Sequence, residues 1–167
     1  MPVMGTGTIG VELFRFNEWA NEALIEFCRG LDEPTLQAGA PGTRGSIQDT
    51  LVHIVAAQER YVGGLGRPRT GGRVHESLGW PGFEELLESN RETGASLVAA
   101  AAEEDPERAF TLQYQGRDEI VLARTFLVQA MHHANDHRTH ICSILGAIGV
   151  EPPEVTGWGW AEAVAAK

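Results

Sequence analysis

Of the six histidines in the chain, four stand within one short stretch, Met131-His132-His133-Ala134-Asn135-Asp136-His137-Arg138-Thr139-His140. Histidines four apart on a helix leave from one face, one turn apart, and can chelate one metal ion. Two sets at that spacing compete here: His133 with His137, and His132 with Asp136 and His140. At about 100° per residue, Ala123, Phe126, Ala130, Ala134, Ile141 and Ile144 mark the apolar side of this helix. His137 falls within that stripe and His133 on its edge, whereas His132 and Asp136 face water and His140 lies between. An imidazole aimed into an apolar interior needs a partner, which makes the inner pair the candidate site. A third ligand must come from elsewhere. His53 is the best remaining candidate, because His75 sits in a loop, yet an ideal wheel places His53 opposite the main apolar stripe of its own helix.

Other chemistry-bearing patterns fail. Gly5-Thr6-Gly7-Thr8-Ile9-Gly10 matches a dinucleotide fingerprint, but a strand must precede such glycines and only Met1 to Met4 do so. A ferritin-like di-iron centre needs Glu-x-x-His on two helices, and no histidine here follows a glutamate at that spacing. The two cysteines, Cys28 and Cys142, cannot build a disulfide framework. Both fall on predicted helices away from the metal face and read as small packing residues.

Four amphipathic segments must position these groups. The first runs from about Val11 to Leu31, with Leu13, Phe16, Ala20, Leu24 and Phe27 at helical spacing. The second starts at Ser46, with Asp49 three residues on as a capping-box partner. Ile47, Leu51, Ile54, Val55, Gln58, Val62 and Leu65 then follow one face, while Ala56 and Ala57 permit close approach on another. The third starts near Pro81 and ends near Ala102, and the fourth spans about Val121 to Ile148, closing at Gly149. The stretch GGLGRPRTGGRVHESLGW before the third helix reads as a surface loop. Alternation at Phe110, Leu112 and Tyr114, broken by Gln115-Gly116, leaves room for a short hairpin before the last helix. Trp158 and Trp160 in the tail are expected to pack on the body. The fold class is therefore all-α, a four-helix bundle, with residues 1–167 as a single domain.

Composition bounds the partners. The chain has 23 acidic against 13 basic residues, a net charge of −10, which disfavours nucleic acid and anionic membrane surfaces. No apolar run is long enough to span a bilayer. The opening residues lack the basic cluster and apolar core of a secretory signal. The expected location is the cytoplasm.

The sequence resembles the DinB-like (DinB/YfiT) metal-binding four-helix bundles over nearly its whole length. Leu13-Phe14-Arg15-Phe16-Asn17-Glu18-Trp19-Ala20-Asn21 is similar to the family's opening helix. Ser46 to His53 with Glu59-Arg60-Tyr61 is similar to its second helix, and His133-x-x-x-His137-Arg138 carries its most specific motif. The resemblance implies a homodimer and a divalent ion (zinc, nickel or iron) held by His53, His133 and His137. Family proteins commonly have Gly-Gln after His-Arg; here Thr139-His140 stands instead, and His140 either contacts the rim of the site or lies on the surface, the second reading being favoured.

Three neutral imidazoles leave an ion its full charge and an open position, the catalytic rather than the structural arrangement. Such an ion lowers the pKa of water towards about 7 or takes a thiol as its thiolate. The resemblance implies an S-transferase or isomerase using a low-molecular-weight thiol, such as mycothiol or bacillithiol, on a small electrophile. A metal-dependent hydrolase and a non-catalytic stress-response metal-binding bundle are the alternatives. Arg67, Arg69 and Arg73 are candidates to hold carboxylates of thiol or substrate, against the simpler reading of solvated loop residues. Arg138 is expected to pair with an acidic group in the bundle. Asn17 and Trp19 supply packing or a pocket wall, with Trp19 assigned to the core.

Overall fold

In a computed structural model, residues 7–68 and 74–166 are described. Helix α1 spans Ile9–Arg29, its first turn capped by the Thr8 hydroxyl, which accepts from the Val11 amide at 3.4 Å. The last residues of the Gly-x-Gly-x-x-Gly pattern therefore open a helix, and no strand precedes it among the described residues. A short turn of helix, α2 (Glu33–Leu36), leads to α3 (Ile47–Gly64). Ser46 and Asp49 form the reciprocal capping box that their spacing predicts.

Helix α4 (Phe83–Glu103) starts after Gly82, whose φ of 96° only glycine adopts readily. Pro81 thus lies just outside the helix rather than in its first turn. Strands β1 (Ala109–Tyr114) and β2 (Arg117–Leu122) form the hairpin, joined through Gln115 and Gly116 with φ of 51° and 75°. Two consecutive positive φ values match a type I′ turn, whose twist suits paired strands. Helix α5 (Ala123–Ala147) follows β2 directly, and α6 (Gly157–Ala165) closes the chain.

The four long helices form a ring in the order α1, α4, α3, α5. Helix α3 therefore packs against α4 on one side and α5 on the other, which buries Ala56 and Ala57 as well as Leu51, Val55 and Val62. Apolar side chains gather in two clusters, one around Leu24, Leu51, Leu86 and Ile141, the other around Phe14, Val62, Leu97 and Phe126. The buried face of α1 is Val11, Phe14, Asn17, Ala20, Asn21, Leu24, Ile25 and Cys28, so Ala20 and Leu24 of the expected stripe are buried, Phe16 and Phe27 are half-buried at its edge, and Leu13 is exposed. Two buried asparagines interrupt the apolar pattern there, so hydrophobicity alone understates the face.

The tail corrects another expectation. Trp160 meets the edge of Phe16 at 6.3 Å, but Trp158 is 82% exposed. Two residues apart on a helix means roughly 200° of rotation, so one short helix cannot bury both. Trp19 is half-buried against Phe16 rather than in the core. No helix among the described residues is long and apolar enough to cross a membrane.

Candidate metal centre

Helix α5 carries His133 and His137 on successive turns of the side it presents to α3, and α3 presents His53 back across the interface. Their ring centroids lie 4.4 Å (His133–His137), 4.7 Å (His53–His137) and 4.8 Å (His53–His133) apart. Nε2 of His53 and Nε2 of His133 are separated by 3.0 Å. Two nitrogens each about 2.0–2.1 Å from a tetrahedral ion stand about 3.3 Å apart, so this pair needs little adjustment to share one. One potential ligand nitrogen from each of the three residues lies within 4.8 Å of the others. The donor set fits a divalent cation.

Electrostatics favours the ligand form. Burial, more than any other cause, lowers the basicity of all three imidazoles, and their mutual repulsion when protonated adds to it for His133 and His137. His133 is brought down to about 4. Neutral imidazoles with free lone pairs are what a metal requires.

The chain supplies support behind the donors. Nδ1 of His53 lies 3.0 Å from Oε2 of Glu76, so the carboxylate stands beside this ring nitrogen although the two do not make a well-directed hydrogen bond. Glu76 is in turn gripped by Arg44 at 2.7 Å and Arg60 at 2.9 Å. Burial alone would raise the Glu76 carboxyl, but the contacts with His53 and Arg60 outweigh it and hold the group below its ordinary range. A carboxylate behind a histidine is the usual way of fixing the tautomer and aim of a ligand.

Glu76 was invisible in the residue pattern because it sits in the connection read as a surface loop. That connection is structured at its end. Val74 is buried, its amide donates to buried Glu59 at 3.1 Å, and Glu76–Leu78 form a single 3-10 turn. An acidic residue beside His75 in the run Val74-His75-Glu76 was the one available signal.

His140 is likewise not simply surface. Its Nδ1 lies 3.2 Å from Nδ1 of His137, so it contacts the rim of the cluster. Asp136, His137 and His140 make a second, more exposed group with metal-compatible spacing, whereas His132 faces solvent. Tyr61 closes another side, its ring 5.8 Å from that of His133.

Other candidates lie elsewhere. Arg67 is engaged with Glu103 at 3.3 Å and Glu104 at 3.9 Å, and Arg69 and Arg73 fall outside the described residues. Arg138 does not pair with an acid. Its Nη1 donates to Oδ1 of Asn17 at 2.7 Å and of Asn21 at 2.6 Å. Cys28 is fully buried and its thiol is pushed up to about 12 by burial, which leaves it inert; Cys142 is half-buried on a different face of α5.

The model of the DinB family matches residues 1–164. The chain belongs to the DinB family. A crystal structure of a DinB-like protein from Bacillus cereus ATCC 10987 superposes with a TM-score of 0.65. That likeness covers 88% of this chain and 95% of the other at 18% identity, and it speaks for the DinB fold alone. No curated protein matches the chain. His53, His133 and His137 lie together across the α3–α5 interface, and Glu76 and His140 contact two of them.

Proposed function

We propose that this DinB-family chain is a divalent-metal-dependent enzyme in which His53, His133 and His137 hold the ion. It uses a low-molecular-weight thiol, such as mycothiol or bacillithiol, as an S-transferase or isomerase on a small electrophile. The observation that carries the reading is the convergence of three low-basicity imidazoles from two helices, with an ionised carboxylate behind one of them. A divalent ion bound there supplies Lewis acidity, lowering the pKa of a thiol or water.

The remaining work belongs to the protein. Glu76 keeps the His53 proton on Nδ1 and leaves the Nε2 lone pair facing His133. Arg44 and Arg60 keep Glu76 ionised and in place. With the proton of His137 on Nδ1, His140 accepts it and frees Nε2 for the ion. Tyr61 excludes water from one side of His133. Three neutral ligands leave the charge of the ion uncompensated and a position open, which favours catalysis over a structural role.

We further assign the protein to the cytoplasm as a homodimer without nucleic-acid or membrane partners. The net charge of −10 supports the absence of polyanionic partners. An apolar cleft lined by Leu13, Phe14, Leu127, Val128 and Met131 supports self-association.

Metal content of the untagged protein, measured by inductively coupled plasma mass spectrometry beside His137→Ala, tests the site. About one zinc, nickel or iron per chain, lost in the variant, is expected from a single three-ligand site. The loaded protein should then consume mycothiol or bacillithiol with a haloarene electrophile. Ester hydrolysis without thiol would make it a hydrolase instead. Metal with neither activity would leave a non-catalytic bundle, and no metal after reconstitution would end the proposal.

A further inference from the structure

Arg138 is buried to 2% exposure, and no carboxylate of the described residues lies within ion-pair distance of it. One edge of the guanidinium is spent on Asn17 and Asn21, both neutral, and Phe16 lies 5.6 Å from its central carbon. Nη2 has no hydrogen-bond partner at all. Burial lowers its pKa only to about 10, so the group is cationic at neutral pH. A buried charge without a counter-ion is strongly unfavourable.

This residue lines a cavity of about 610 Å³ between α5 and the segment leading into α6. The cavity lies on a different side of α5 from the histidine cluster, none of whose members lines it. Its walls combine Phe16, Pro152 and Val155 with the polar side chains of Thr139, Ser143 and Thr156. Among its lining residues Arg138 carries the only formal charge. An apolar wall, a few hydroxyls and one unneutralised guanidinium describe a complement to one kind of molecule.

We infer that this cavity is a binding site for a small organic carboxylate, whose anionic group supplies the counter-ion missing from Arg138 and whose hydrocarbon body lies against Phe16, Pro152 and Val155. A carboxylate suits the planar fork of arginine, and Ser143 is the lining hydroxyl left to donate to it, since those of Thr139 and Thr156 donate to the Asn135 carbonyl and to Glu154. The apolar wall selects an organic acid over an inorganic anion. The site is independent of any ion at His53, His133 and His137.

Benzoate and its neutral isostere benzamide, titrated calorimetrically into the full chain, test the assignment. Benzoate should bind at least about tenfold more tightly, the usual worth of a charge-assisted hydrogen bond over a neutral one. Cys142 lines the same cavity and Cys28 is fully buried, so alkylation by N-ethylmaleimide reports occupancy. Saturating benzoate should slow it. Ser143→Phe fills the cavity from an exposed backbone position without touching the bonds of Arg138 to α1, and should abolish benzoate binding while the protein stays folded. Arg138→Met should do the same where it folds. Equal binding of benzoate and benzamide, no binding of either, or binding that survives Ser143→Phe would overturn the inference. So would equal protection of Cys142 by chloride at matched ionic strength, or protection that requires added zinc.

Discussion

Two regions of this bundle bury polar groups, and they solve the same problem in opposite ways. The first is a layer of amides and hydroxyls shared by α1, α3 and α4. Gln58 accepts from Asn17 at 3.2 Å and Asn21 at 3.3 Å, then donates to Asn90 at 3.2 Å and Thr93 at 2.7 Å. Asn21 donates to Asn90, and Asn90 donates to the backbone carbonyl of Glu18. Donors and acceptors alternate, so these amides and hydroxyls satisfy one another, and only Arg138, which reaches Asn17 and Asn21 from α5, keeps an unpartnered nitrogen. The second region is the histidine cluster between α3 and α5. Three alike groups crowd together, all with lowered basicity and two with Nε2 atoms in contact. With their protons on Nδ1, His53 and His133 face each other through Nε2 lone pairs that neither can satisfy. A self-satisfied layer fixes which helix faces meet, whereas a cluster with surplus lone pairs offers ligands that a cation could take up. His137 and Arg138, neighbours in sequence, serve one region each.

This contrast fails first, and most visibly, if the histidine cluster stabilises itself. His137→Ala should lose the bound ion altogether, and chelation of the native protein should lower its thermal stability. For an ion present at about 1,000 times its dissociation constant the loss is about 4 kcal/mol, read by calorimetry with and without chelator. Equal melting with and without metal would place the cluster in the same class as the amide layer.

The amide layer should respond to its own substitution and not to metal. Gln58→Leu leaves the Asn17 amide without its acceptor, Asn21 with Asn90 alone, and Thr93 without its donor. A loss of about 2–3 kcal/mol in urea unfolding is expected, with metal content unchanged. Coupled loss of metal would show that the two regions are one.

Support behind the donors should matter less than the donors. Glu76→Gln removes the charge facing His53 and should weaken zinc affinity roughly tenfold to a hundredfold in a competition titration, with little change in urea midpoint. His140→Ala should act in the same direction on His137 with a smaller effect, and exposed His132→Ala should leave affinity unaltered.

The smallest effect concerns protons. Imidazoles whose basicity is lowered by folding stay neutral while those of the unfolded chain, near pH 6.5, become charged. The unfolded state then binds more protons, so stability of the chelated protein should be fully present above about pH 6.5 and decline as pH falls towards about 4. A midpoint that rises on acidification would contradict the burial of the cluster.

Much of this was readable in advance, and the exceptions share a cause. The four helices, the Ser46–Asp49 cap, the Gln115-Gly116 turn and the inner histidine pair all follow from short-range spacing, which the backbone geometry converts directly into a face or a turn. The buried face of α1 extends beyond its apolar stripe because Asn17 and Asn21 find partners on three other helices, and no local pattern announces them. His53 stood opposite its helix's main stripe and was chosen through family resemblance; the burial of α3 on two sides is what makes that position interior. Arg138 was assigned an acidic partner on chemical grounds, and the packing of α1 against α5 gave it asparagines instead. Glu76 is separated from His53 by a helix and a loop, and only the anchoring of Val74 to Glu59 brings it back.

Spacing along the chain fixes the periodic elements, their caps and the pair of histidines that one helix presents together, because each depends on neighbours within a turn or two. Tertiary structure alone decided which buried polar groups find complements and which are left with lone pairs or charge to spare. That choice depends on the relative registry of helices far apart in the chain, where a shift of one residue turns a partner towards solvent.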